Sequence, residues 1–305
     1  MLLRCMFRRL LEAIPVLAVL ATFTFFLLRL APGGPFDSEQ AWPPEIQATI
    51  RRQYELDRPV TIQYIHWVQK LVRGDLSESF QYRGKAVTEI IAESLPQSGA
   101  LGIGALLFAL LLGIPLGCVS AWRKGSWMDR SSNLLAMVGI SLPSYLIASL
   151  LILIFSMKLG WLPAALWEGP LSMCLPVIAL GWRPLGIVIR MTKHSMSEAL
   201  SSDYARTAYG KGLSEAAVLF KHSLKNSLIP VTTIIGPVAA NLIAGSFLVE
   251  VVFQIPGMGK HFVHAVLNRD YPLVMGVTLV YGVILITCSC IVDVICLWAD
   301  PRMRM

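Results

Sequence analysis

The chain contains four long stretches without a single Asp, Glu, Lys or Arg. They cover residues 94–122, 131–157, 226–249 and 271–292. Because about 20 apolar residues in a helix are enough to cross a bilayer, each stretch is predicted to be a transmembrane helix. The chain is 55% hydrophobic and only 15% charged, whereas soluble domains contain about 25% charged residues. This composition excludes a conventional water-soluble enzyme.

Two further apolar segments raise the predicted number of membrane spans to six. Residues 13–28 are apolar, and residues 171–191 are interrupted only by Arg183 and Arg190. The second segment reaches a spanning length if these side chains snorkel or face protein. The first resembles a secretory signal, but no cleavage site of small residues ends it, which favours an uncleaved anchor. The predicted fold class is an all-α polytopic membrane protein with six transmembrane helices.

The distribution of Lys and Arg predicts the orientation of these spans. Of the 26 Lys and Arg residues, fourteen lie in the segments on one side of the membrane: before span one, in the loops after spans two and four, and after span six. The short loops on the opposite side, after spans three and five, contain only three. Because cytoplasmic segments of membrane proteins are enriched in Lys and Arg, both termini are predicted to be cytoplasmic. We interpret the net charge of +7 as this asymmetry and not as a nucleic-acid site. The lipid bilayer is the first predicted partner.

Two polar loops are long enough to form structure of their own, and the first lies outside the cytoplasm in this topology. Within residues 31–93, one helical pattern opens at Pro44, and in a second Ile62, Ile65 and Val68 recur at helical spacing. We interpret this loop as a small helical cap that docks a partner or gates the path. The alternative is a solvated connector, which would need neither this length nor this periodicity.

The second polar loop, residues 193–227, is predicted to be cytoplasmic and to contain a helix, a glycine break and another helix. Asp203 and the serines before it supply N-cap chemistry for the first helix. This helix is predicted to run through Tyr209, with Gly210 and Gly212 ending it, and Ser214 is placed to start the next one.

The first helix of this loop is expected to present a contact face. Tyr204, Ala205 and Ala208 fall on one side of it, with Arg206 and Lys211 elsewhere. Because small side chains let another protein approach a backbone closely, Ala208 in particular is expected to lie against a partner. The alternative is an amphipathic helix that rests on anionic lipid headgroups.

Motifs for catalysis and for binding metals or nucleotides are absent from the sequence. The three Gly-Lys dipeptides lack the earlier glycine of a phosphate loop, and no Gly-x-Ser-x-Gly, His-Glu-x-x-His or Cys-x-x-Cys pattern occurs. We therefore assign no catalytic residue, metal site or cofactor to this chain. The spans contain few ionisable residues and the two halves show no repeat, which disfavours a carrier coupled to a proton or sodium gradient.

Short motifs along almost the whole chain are similar to those of one membrane-protein family. The most specific are Arg-Thr-Ala-Tyr-Gly-Lys-Gly-Leu at 206–213, Pro-Gly-Met-Gly at 256–259 and Asn-Arg-Asp-Tyr-Pro at 268–272. Leu-Asp-Arg-Pro at 56–59 and Gly-Ser-Trp-Met-Asp at 125–129 are further matches. In these motifs the chain resembles the permease subunits of ATP-binding-cassette importers for peptides, most closely the B-type subunit of oligopeptide permeases.

This resemblance implies the membrane domain of a type I importer. Residues 1–93 would form an N-terminal transmembrane helix and an extracytoplasmic cap, and residues 94–305 a core of five helices with the coupling loop at 193–227. The residues implied in coupling to an ATPase are Tyr204, Ala205, Arg206, Thr207, Ala208, Lys211, Gly212 and Ser214. Those considered for the translocation path or its gate are Arg183, Asn241 and Glu250.

The resemblance also implies partners, a location and a function. A second homologous permease would complete the path, two ATP-binding subunits would bind ATP and Mg²⁺, and an extracytoplasmic peptide-binding protein would deliver the substrate. The chain, in the inner membrane of a bacterium, would be a transporter subunit and not an enzyme. Its expected function is the import of oligopeptides, and import of dipeptides or of metal chelates such as nickel is the alternative. An ion-coupled secondary carrier and a structural scaffold stay open as functions of other classes.

Overall fold

The described part of the protein consists of α-helices, π-helical turns and connecting loops. A computed structural model describes residues 2–31, 33–34, 55–82 and 84–299. The helices in these ranges are α1 (Leu2–Leu30), α2 (Val60–Val72), α3 (Val87–Trp122), α4 (Trp127–Ser141), α5 (Ser144–Leu151), α6 (Pro170–Ser201), α7 (Asp203–Gly210), α8 (Glu215–Ala217), α9 (Leu224–Ile243), α10 (Phe247–Val252), α11 (Met258–Leu267) and α12 (Tyr271–Ala299). π-Helical turns continue α5 over Ile152–Lys158 and join α8 to α9 over Val218–Ser223. The predicted all-α class is confirmed.

Five helices in the described ranges are long and apolar enough to cross a membrane. They are Leu11–Leu30 within α1, Val87–Trp122, Pro170–Ser201, the continuous helix Glu215–Ile243, and Tyr271–Ile295 within α12. A sixth candidate is formed by α4 together with α5 and its π turn, which are bent by 111° at their break. Counted in chain order with this bent pair as span three, they correspond to the six predicted spans.

The break in span three contradicts the prediction of an uninterrupted helix over 131–157. Helix α4 ends at Ser141 because the next residue, Leu142, has an extended backbone with φ −86° and ψ 131°. The ring of Pro143 clashes with a helical backbone at the residue before it, and so favours this extended conformation. The chain therefore turns sharply within the span, and the corner at Pro143 lines a cavity that is described below.

Span five also differs from its predicted bounds of 226–249. The helix begins earlier, at Glu215, and ends at Ile243. Gly245, with φ 95°, then turns the chain through a left-handed conformation that glycine adopts without steric cost. The two short helices α10 and α11 follow before span six. Glu250 consequently lies in α10 and does not close span five.

Span four, formed by α6, is the most buried of the five long spans. Its glycines let neighbouring backbones come close. A Cβ added to Gly186 would lie 2.7 Å from the carbonyl oxygen of Ala136 in α4, and one added to Gly181 would lie 2.8 Å from that of Ala105 in α3. Small residues allow such close packing between membrane helices. Spans two and three are thereby held on span four in a fixed register.

The predicted helix around Ile62 is confirmed as α2, which packs on the end of span one and the start of span six. Trp67 of α2 lies in one apolar cluster with Phe25 of α1 and Tyr271 of α12. The predicted helix at Pro44 lies outside the described residues. The predicted domain boundary after residue 93 falls within α3 and stays a prediction.

Asp270, from the Asn-Arg-Asp-Tyr-Pro motif, joins the cap segment to the start of span six. Its buried carboxylate accepts hydrogen bonds from the Ser79 hydroxyl and from the backbone N–H groups of Phe80 at 3.1 Å and Gln81 at 3.3 Å. It also accepts one from the N–H of Leu273 at 3.3 Å and so caps α12. A single side chain therefore satisfies donors from two segments that are distant in sequence.

Asp270→Ala should loosen the cap without unfolding the bundle. The substitution leaves the Ser79 hydroxyl and the Phe80 N–H without their acceptor, at a cost on the order of 1 kcal/mol each, whereas the Gln81 N–H keeps the Ser79 hydroxyl oxygen at 3.2 Å. We expect faster trypsin cleavage of the detergent-solubilised protein between residues 70 and 85, with unchanged helical content by circular dichroism. Asp57→Ala, which removes an exposed carboxylate from the same loop, is the control. Equal cleavage rates for the two variants would contradict the role of Asp270.

Candidate coupling surface and translocation cavity

Within the predicted loop at 193–227, residues 193–201 continue α6, and the residues after them form the predicted helix, break and helix. Helix α7 ends at Gly210, and Gly212 with φ 76° then reverses the chain. The Ser214 hydroxyl accepts a hydrogen bond from the N–H of Ala217 at 3.4 Å and caps α8. The predicted ends of both helices at this break are confirmed.

One side of α7 packs against the chain's own helices. Ala205 and Ala208 are 0% and 5% exposed and lie in one apolar cluster with Val218, against which Leu200 also packs. The expectation that Tyr204, Ala205 and Ala208 share a face open to a partner is therefore wrong. Their small side chains bring α7 close to its own chain, so a bulky residue at Ala208 would displace the helix before it could meet another subunit.

The other side of α7 and the turn after it are exposed. The exposed residues among those predicted to couple are Tyr204, Arg206, Thr207, Lys211, Gly212 and Ser214. Sequence reasoning missed Tyr209 and Leu213, which are 42% and 39% exposed. We call these eight residues the α7 surface. Large apolar or aromatic side chains beside an arginine are typical of contacts between proteins.

A partly buried ion pair near this loop joins spans two, three and four. Lys193 Nζ lies 2.5 Å from Asp129 Oδ1 and donates to Asn133 Oδ1 at 3.1 Å. Asp129 also accepts hydrogen bonds from the Ser120 hydroxyl at 2.5 Å and from the N–H of Gly125 at 2.9 Å. These contacts link the ends of the three spans to one another. Sequence reasoning missed it, although Asp129 stands in the Gly-Ser-Trp-Met-Asp motif.

A cavity of about 580 Å³ opens between the bend of span three and spans four and five. Arg183 from α6 and Asn241 from α9 both line it, together with Ser144 at the bend and Ser246 after span five. The structure thus brings together two of the three residues predicted for the path. Its size lies in the range of cavities that hold small organic ligands.

Glu250, the third predicted path residue, does not line this cavity. Its fully buried carboxylate accepts hydrogen bonds from the Ser98 hydroxyl and from the N–H of Lys260, both at 2.8 Å. Ser98 in turn accepts one from the N–H of Met258 at 2.8 Å. Burial raises the pKa of the Glu250 carboxyl, and its hydrogen bonds act in the opposite direction. Glu250 therefore ties α10 and the start of α11 to span two, and its assignment to the path or its gate stays a prediction.

Two family profiles match nearly the whole chain. The profile described as binding-protein-dependent transport system inner membrane component matches residues 113–305. The profile for the N-terminal part of binding-protein-dependent transport system membrane components matches residues 2–101.

Curated relatives match over their full length as well. The oligopeptide transport system permease protein OppB of Haemophilus influenzae is 42% identical over 99% of this chain and 100% of its own. OppB of Salmonella typhimurium is 39% identical, also over 99% of this chain and 100% of its own. The dipeptide transport system permease protein DppB of Bacillus subtilis is 38% identical over 99% of this chain and 98% of its own.

Matches of this extent confirm the resemblance and the fold class predicted from the sequence, the membrane domain of a type I importer. They agree with the helical bundle and its six candidate spans. The chain belongs to the family of binding-protein-dependent transport system inner membrane components.

Proposed function

We propose that this chain is the membrane-spanning permease subunit of an ATP-driven importer of oligopeptides. The observation that carries the proposal is its 42% identity, over its whole length, with an oligopeptide transport system permease protein. Two features of the structure support it. The α7 surface offers a place for another subunit to bind, and the cavity between spans three, four and five offers space for a substrate.

Import of dipeptides is the second candidate. It is favoured by the 38% identity, over nearly equal lengths, with a dipeptide transport system permease protein. The two functions share the architecture, the energy source and the partners, and they differ in the length of peptide delivered. A comparison of peptide lengths in transport therefore decides between them.

The α7 surface is the contact that we assign to an ATP-binding subunit. Two such subunits bind ATP and Mg²⁺, and this chain binds neither. Because the alanines of α7 are packed on Val218, a push on the exposed side of α7 is transmitted to the start of span five. The ion pair between Lys193 and Asp129 holds the ends of spans two, three and four together nearby. Movement of the ATP-binding subunits would thus displace several spans at once.

Two further protein partners complete the proposal. A second homologous permease packs against the open side of the cavity, which is lined by Arg183 and Asn241. A peptide-binding protein docks on the extracytoplasmic side, where α2 covers the ends of spans one and six. The distribution of fourteen against three basic residues supports this orientation, with both termini in the cytoplasm of a bacterial cell.

Uptake into proteoliposomes tests the energy source and the substrate together. The chain is reconstituted with its partner subunits, ATP is enclosed, and loaded peptide-binding protein is added outside. We expect accumulation of labelled oligopeptides that requires ATP and survives ionophores. Uptake driven by an ion gradient without ATP would show a secondary carrier, and no uptake under either condition would favour a scaffold. Uptake of dipeptides in preference to longer peptides would support the second candidate.

Gly212→Val should impair peptide uptake and receptor-stimulated ATP hydrolysis together, through its effect on the backbone. An added Cβ meets nothing within 4 Å at Gly212 or at Gly210, but only Gly212 has a positive φ, 76°. Valine there strains the turn by on the order of 1–3 kcal/mol and displaces the α7 surface. We expect peptide uptake and receptor-stimulated ATP hydrolysis to fall together, with a normal amount of protein in the membrane.

Gly210→Val is the matched control, because it adds the same bulk two residues away without the strain. We expect its uptake and stimulated hydrolysis to stay near those of the unmodified complex. Equal losses in the two variants would show that bulk and not backbone geometry matters, and normal transport by the Gly212 variant would remove this turn from the coupling mechanism.

A further inference from the structure

Arg183 carries a charge in the middle of a membrane span. It lies thirteen residues after the start of the 32-residue helix α6, or roughly 20 Å along its axis. Its side chain is exposed in the isolated chain and lines the cavity between spans three, four and five. A guanidinium at this depth is unfavourable against lipid tails and is found facing protein or a water-filled cavity. The position of Arg183 is therefore evidence that the cavity is polar during transport.

The wall of the cavity offers Arg183 no counter-charge. Fourteen described residues line it, and none of them is an Asp or Glu. The ion pairs among the residues that the structure describes do not include Arg183 either. The anion that balances this charge must then come from a partner subunit, from solution or from the molecule that passes through.

The other cavity residues fit an uncharged chain with polar groups. Asn241, Ser144 and Ser246 supply an amide and two hydroxyls that can pair with peptide groups, and Val238 and Leu248 supply apolar surface. A peptide presents this combination, since its backbone is neutral and polar while its side chains vary. It also ends in a carboxylate, which a guanidinium binds with two parallel hydrogen bonds.

The backbone that carries Arg183 is held firmly on both sides. Gly181 and Gly186 bring α6 into close contact with the carbonyl groups of Ala105 and Ala136. A binding group works best when its supporting helix cannot shift, because the geometry of the bond is then fixed in advance. Arg183 meets this condition.

We propose that Arg183 receives the C-terminal carboxylate of the peptide as it passes through the cavity, and so selects peptides with a free carboxyl end. This inference rests on the proposed function as a peptide importer. The test compares one peptide in two forms, with a free carboxylate and with a C-terminal amide, in the reconstituted complex with loaded peptide-binding protein and ATP.

Arg183→Gln should lower uptake of the free-carboxylate peptide on the order of tenfold, as expected for the loss of a hydrogen-bonded charge pair. Uptake of the amidated peptide should change by less than about twofold. The peptide-binding protein is the same in all assays, so its own preference cancels when the variant is compared with the unmodified complex. Arg190→Gln is the matched control, because Arg190 is exposed two turns further along α6 and does not line the cavity. It should not change the ratio of the two uptake rates.

An equal fall for both peptides would overturn the proposal and indicate that Arg183 pairs with a carboxylate of the second permease. If the complex with Arg183→Gln does not assemble, Arg183→Lys is tested instead, because lysine keeps the positive charge but lacks the planar pair of donors. The ratio of the uptake rates of the two peptides is again the measurement. We expect Arg183→Lys to lower uptake of the free-carboxylate peptide alone, and an equal effect on both peptides would again overturn the proposal. Failure of the proposed function is a separate outcome, since the unmodified complex would then import neither peptide with ATP.

Discussion

The close packing of span four against spans two and three is the contact on which the rest of this structure depends. Lipid tails remove the hydrophobic force between membrane helices, so close backbone contact through small residues supplies much of their association. Gly181 and Gly186 provide such contacts from span four, and a Cβ on Gly113 of span two would lie 2.7 Å from the side chain of Val188. The same helix carries Arg183, which lines the cavity, and Lys193, which forms the partly buried ion pair with Asp129. The positions of both charges therefore follow from the packing of one backbone.

Buried carboxylates fix the two ends of the bundle around this packed centre. At one end Asp270 accepts hydrogen bonds from the cap segment and from the start of span six. At the other end Asp129 pairs with Lys193 and accepts a hydrogen bond from Ser120. Breaking either set would leave buried polar groups without partners, which is costly. In the proposed importer, the cavity would open to one side of the membrane and then to the other. We expect this movement to occur between the chain and the proposed second permease, with each moving largely as a unit.

The sequence predicted the spans because charged residues are rare where a helix crosses lipid, and it predicted the end of α7 and the start of α8 because glycine turns and serine caps act locally. The predicted serine cap at the start of α7 does not form, since the Ser202 hydroxyl donates to the carbonyl oxygen of Ala199 instead. The sequence did not reveal which prolines break a helix. Pro115 lies inside the continuous helix α3, whereas the chain bends sharply at Pro143. It also did not reveal that Glu250 and Ala208 are buried, because Glu250 pairs with Ser98 in another span and Ala208 packs on Val218 beyond the glycine break. The spacing of residues within one helix contains no information about contacts with another helix.

The central claim is that the exposed side of α7 binds an ATP-binding subunit, and site-specific photo-crosslinking tests it most directly. A photoreactive side chain replaces Tyr209 on the α7 surface or, as a control, Trp161, which is 68% exposed in the loop after span three. In the assembled, transport-active complex, the group at position 209 should form an adduct with the ATP-binding subunit, and the group at position 161 should not. Absence of that adduct at 209, or an adduct there with the extracytoplasmic peptide-binding protein, would contradict the account.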